Sequence, residues 1–141
     1  MSSFKRFHPS VPIYYKTTEF HGFPALKDYV LGLAKGPSRP TFSVGGWRSE
    51  SNFFSWTAVP GVIELKNLCL VAFKEARPSF EIGKVVSWAM VNRYVSRYGD
   101  YHEPHCHGSG WSGIYYLDDG GEHAVGSGNT VFETSCGNFH V

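Results

Sequence analysis

The apolar residues of this chain change their spacing near residue 78, and that change limits the folds open to it. Ahead of it, "FPALKDYVLGLAKG" sets Leu26, Tyr29, Val30 and Leu33 on one helical stripe, with Gly36 and Pro37 as a stop. The stretch "GVIELKNLCLVAFKEARP" does the same with Val62, Leu65, Leu68, Cys69, Ala72, Phe73 and Ala76, and ends before Pro78. Two amphipathic helices are expected there. From Phe80 the period falls to two, because Phe80, Ile82, Val86, Trp88 and Met90 take alternate positions, with Lys84 the exception. "SGIYYLDD" and "NTVFE" read as further strands, joined through the glycine-rich "GGEHAVGSG". Helices followed by strands predict an α+β arrangement, with the helices on one face of a largely antiparallel sheet or half-barrel.

With 141 residues the chain is expected to form a single domain, residues 1–141, with a helical part over 1–78 and a strand-rich part over 79–141. Thirteen basic and twelve acidic side chains leave a formal charge of +1, which supplies no field to draw the protein to nucleic acid or an anionic membrane. A small molecule or a protein is the expected partner. An aromatic share of 16% and sixteen glycines favour strands and tight turns. The longest apolar run, "LCLVAF", falls far short of the roughly 20 residues that cross a bilayer. "MSSFKRFHPS" has no signal-peptide core, and three cysteines, Cys69, Cys106 and Cys136, fit a reducing compartment, so a cytoplasmic location is expected.

The densest polar chemistry lies in "GDYHEPHCHGSGWSGIYYLDDGG". In an extended backbone successive side chains face opposite ways, so Glu103, His105 and His107 share one face and His102 and Cys106 the other. Pro104 lacks an N–H and suits a strand start or an edge. Two imidazoles on one face suit Fe, Zn, Cu or Ni, and a third ligand is offered by Glu103 or, preferably, by His140 on a returning strand. A zinc site that adds Cys106 and Cys136 is disfavoured, since paired Cys-x-x-Cys knuckles are lacking. His8, His21, His102 and His123 show no ligand pattern and are read as surface or structural residues.

Three stretches, "FSVGGWRSESNFF", "SWAMVNRYVSRYGDYHEPHCH" and "WSGIYYLDDGG", resemble in order and spacing the 2-oxoglutarate and Fe(II)-dependent oxygenase family found in bacteria and their phages. The resemblance runs over residues 41–121. It implies a double-stranded β-helix, or jelly roll, preceded by helices, and an oxidation coupled to decarboxylation of 2-oxoglutarate. It also implies that His105 and His107 hold Fe(II), and that Tyr115 or Tyr116 meets the cosubstrate carboxylate, since alternation along a strand turns only one of them inward. Trp47, Trp88 and Asn92 match family positions as well, where packing and scaffold hydrogen bonds are their expected work.

The chain departs from that pattern in its second half. The family continues through further strands to a distal histidine and an arginine that forks onto the far carboxylate of 2-oxoglutarate, whereas no arginine follows Arg97 and the sequence stops at Val141. The insertion "YVS" within "NRYVSRYGDYH" is expected to lengthen a hairpin. "GNTVFETSCGNFH" resembles, more loosely, the second motif of the cupins, with Ser135 where proline is usual, and it makes His140 the third ligand. Three functions follow as expectations: an Fe(II), 2-oxoglutarate-dependent oxygenase; a cupin-like metal enzyme without 2-oxoglutarate; or a shortened jelly-roll binding or assembly module without catalysis. In the last, a homodimer would cover unpaired strand edges.

Overall fold

The computed structural model describes residues 5–6, 14–15, 17–38, 43–92, 101–102, 111–118, 131–134 and 137–140. Both predicted helices are present. Helix α1 spans Phe23–Leu33, with Pro24 in its first turn, where a missing N–H costs nothing. Helix α2 spans Val62–Ala76 and stops at Arg77, whose N–H still reaches the Phe73 carbonyl before Pro78 ends the run.

The predicted stripes face inward at their N-terminal ends and less so beyond. Leu26 and Val30 on α1, with Val62 and Leu65 on α2, are buried in a core completed by Phe20, Ala34, Trp47, Phe53, Val59 and Ala89. Leu33, Leu68 and Cys69 pack on its margin, while Tyr29, placed on the stripe by its spacing, is exposed.

The two helix starts abut. Gly61 has a φ of +81°, and a β-carbon there would lie 2.7 Å from the Gly22 carbonyl oxygen. One on Gly22 would lie 2.5 Å from the Gly61 Cα. Only two glycines permit so close an approach. Neither helix has a side-chain cap of its own, but the Glu64 carboxylate in the first turn of α2 accepts the amides of His21 (2.9 Å) and Gly22 (3.1 Å) that lead into α1.

The strands are short and antiparallel. β1 (Lys5–Arg6) pairs with β2 (Tyr14–Tyr15). β3 (Ser43–Val44) and β4 (Trp47–Arg48) are separated by Gly45 and Gly46, and the φ of +85° at Gly45 turns the chain between them. β4 pairs with β5 (Met90–Val91), matching Trp47 to Val91 and Arg48 to Met90. β3 pairs with β6 (Tyr101–His102), matching Ser43 to His102 and Val44 to Tyr101. At the end of the chain β7 (Val131–Thr134) and β8 (Gly137–His140) form a hairpin.

These pairings correct the expected fold. A double-stranded β-helix needs two multi-stranded sheets facing each other, and the described residues instead form two helices and four separate two-stranded antiparallel sheets. The reason lies in where the backbone groups are used. Residues 80–90 alternate as a strand should, but only Met90 at their end is in a strand. Just upstream, the Ser87 carbonyl and hydroxyl accept the amides of Phe53 and Phe54 in a 3-10 turn (Phe53–Ser55), and Ala89 bonds to Ser49. Phe80 turns edge-on to Phe73, with ring centres 5.6 Å apart. Of the predicted strand "SGIYYLDD", residues 112–118 are described, and they join no sheet. Of "NTVFE", residues from Val131 onward lie in β7. No helix among the described residues is long and apolar enough to cross a membrane.

Candidate functional site

His105 and His107, with Glu103, Cys106 and Arg97, lie outside the described residues, as do Cys136 and the insertion "YVS". The described structure does show what stands on either side of the histidine pair. β6 delivers the chain to residue 102 alongside Ser43. At residue 111 the chain returns onto α2, where the Trp111 ring meets Phe73 edge-on at 6.3 Å and Tyr14 at 6.3 Å. The Arg77 guanidinium sits 4.8 Å above it, a cation–π contact. Both flanks of the His-x-His segment are therefore fastened to the helical part.

His140 occupies the last position of β8, opposite Val131. β8 pairs with β7, and β6 with β3, so among the described residues no sheet brings the two histidine-bearing segments side by side. The expected alignment of His140 with the pair concerns His105 and His107, which lie outside the described residues. No group of three His, Cys, Asp or Glu side chains is gathered among the described residues.

The two tyrosines divide as alternation requires, though without a sheet. Tyr115 and Leu117 turn towards the core, while Ile114 and Tyr116 are 66% and 54% exposed. The Tyr115 hydroxyl donates to the Thr18 carbonyl at 2.8 Å, and its ring meets Phe20 edge-on at 5.8 Å. Burial pushes its pKa above the ordinary tyrosine value, and the neighbouring Cys69 and Glu19 add to this, so the hydroxyl remains a proton donor. That donor is already used. Lys27 pairs with Asp118 and ties the same segment to α1. The Cys69 thiol, half-buried, is likewise raised by burial, which keeps it in its unreactive form.

Trp47 does the scaffold work expected of it: it is buried and its indole N–H donates to the Pro37 carbonyl at 3.0 Å. The Trp88 indole N–H donates to the Met90 sulfur at 3.1 Å. Asn92 departs from the expectation, since its Oδ1 is buried without a hydrogen-bond partner among the described residues. The same holds for Nε of Arg48, whose guanidinium stands 5.7 Å from the Trp88 ring centre. Two surface depressions lie along α2, one lined by Leu70, Val71, Lys74 and Glu75, the other by residues from Thr57 to Asn67, and neither includes a residue of the predicted site.

Comparison with family models, curated proteins and solved structures gives no match for this chain.

Proposed function

We propose that this chain is a non-haem Fe(II) protein of the 2-oxoglutarate oxygenase type that oxidises a small-molecule or protein substrate. The observation that carries the reading is the pairing of its first two family-like stretches. Segment 43–48 bonds on one side of Gly45 to Tyr101–His102 and on the other to Met90–Val91. The histidine-rich segment thus begins three residues beyond a strand pair, and Trp111 anchors its far side. An extended backbone from such a start would carry His105 and His107 on one face.

The donor chemistry of this pair fits Fe(II): neutral imidazoles bind it and leave further positions for a carboxylate or a third imidazole. His140 is the third donor we favour over Glu103. Bound there, Fe(II) would supply open coordination positions for dioxygen activation. The chain's own task would be to hold the imidazoles in the right tautomer and keep the site dry. Tyr115 does not fit a cosubstrate anchor, because its hydroxyl serves Thr18. If either tyrosine meets a cosubstrate carboxylate, it is the outward Tyr116.

Tyr115's engagement favours a second reading in which the metal enzyme does not use 2-oxoglutarate. Iron-dependent release of carbon dioxide from 2-oxoglutarate separates the two. Turnover that disappears in His105→Ala supports the oxygenase; iron binding without any turnover supports the second reading. An anaerobic Fe(II) titration of His140→Ala tests the third ligand. Weakened iron binding is expected, and wild-type affinity would exclude His140.

A further inference from the structure

We propose that residues 82–86 offer an open backbone edge along which a second copy of this chain adds, strand against strand and antiparallel. The segment is already straight: residues 80–89 run without a turn or bend, and none has a positive φ. Both ends are pinned. Phe80 is held by the Phe73 ring and by Lys74, whose ammonium donates to its carbonyl, and Ser87 by the amides of Phe53 and Phe54. Alternation then decides which edge is open. Ser87 and Ala89 turn their carbonyls to Phe53 and Ser49, and Val91 pairs with Trp47, so odd-numbered residues direct their main-chain groups to the 47–53 side. The N–H and C=O groups of Ile82, Lys84 and Val86 therefore point the other way. They have no hydrogen-bond partner among the described residues, and residues 83–86 are exposed. A β-carbon on Gly83 would meet nothing within 4 Å, and no proline lies between Pro78 and Pro104. An open edge free of proline is a template for another strand.

The occupant that fits is the same edge of a second copy. Two-fold antiparallel pairing satisfies both edges at once and closes at two chains. Each copy arrives already extended, so less ordering entropy is lost than when a flexible peptide binds. Charge is also matched, because Glu81 and Lys84 cancel and the two segments meet without net repulsion. The register follows from the side chains. Centring the pair on Lys84 would set two ammoniums opposite each other, which is destabilising. Centring it on Val85 sets that valine against its own copy, and Lys84 opposite Val86 of the other chain. Val85 and Val86, 43% and 48% exposed, are then covered.

The test is sedimentation equilibrium of the full chain in EDTA, with amide hydrogen exchange followed residue by residue at about 50 μM and about 1 mM. A monomer–dimer equilibrium is expected. In the dimer the Lys84 and Val86 amides should exchange at least about tenfold more slowly, while those of Gly83 and Val85 keep their rates. Lys84→Pro removes an outward N–H and is expected to stay monomeric; Gly83→Pro removes an inward one and is expected to dimerise as the wild type does. Circular dichroism checks that each variant is folded. Should either fail to fold, the exchange pattern of the wild type still decides. A wild type that stays monomeric, association beyond two chains, or equal slowing at all four amides overturns the proposal. So does a dimer that survives Lys84→Pro, or one that Gly83→Pro abolishes equally. Because iron is absent throughout, its failure is separate from failure of the oxygenase reading.

Discussion

At the residue scale the most informative side chain is Tyr115, which joins two segments 97 positions apart through its bond to the Thr18 carbonyl. Tyr115→Phe should cost about 1 kcal/mol of stability, the usual worth of one hydrogen bond, and leave any 2-oxoglutarate turnover unchanged. Urea unfolding and a decarboxylation assay check the two halves. The pH dependence has a definite sign. The folded-state pKa of Tyr115 lies above the unfolded value of 10.0, so the folded form holds its proton longer. Stability is intact below that value and falls as pH rises past it. Thermal unfolding midpoints of the wild type should therefore drop more steeply above about pH 10 than those of Tyr115→Phe. Equal slopes would remove Tyr115 as the cause.

At the element scale the join between α1 and α2 rests on glycines and one carboxylate. Gly61→Ala should destabilise by more than about 1 kcal/mol, since alanine is strained at positive φ and its methyl would meet the Gly22 carbonyl. Glu64→Gln, measured by the same unfolding assay, should cost about 1 kcal/mol, a modest figure because the Glu64 side chain is 42% exposed. Both helices were legible in the sequence, because residues such as Leu26, Val30, Val62 and Leu65 carry a local period that burial then uses. The Gly22–Gly61 contact was not, since nothing local marks two glycines 39 positions apart as neighbours. The strand predicted over residues 80–90 failed for a similar reason. Alternation says which way side chains point, but not whether a partner strand exists, and here the groups of Ser87 were drawn to Phe53 and Phe54.

At the scale of the whole molecule, the described chain joins a small helical core to short antiparallel pairs, two of which unite segments far apart in sequence: Ser43–Val44 with Tyr101–His102, and Trp47–Arg48 with Met90–Val91. Such pairings are fixed by tertiary contacts rather than by local pattern, which is why the jelly roll implied by resemblance did not follow. The candidate site was legible only as chemistry: His-x-His named a donor pair, while the pairing of β4 with β5 that buries polar atoms of Arg48 and Asn92 required the fold. Core packing should dominate stability, so Leu26→Ala, at a fully buried core position, should cost about 2–5 kcal/mol. The central functional claim is best tested by anaerobic calorimetric titration of Fe(II) into wild type, His105→Ala and His107→Ala. The account predicts one tightly bound iron per wild-type chain and loss of that binding in both variants; iron uptake by either variant equal to that of the wild type would contradict it.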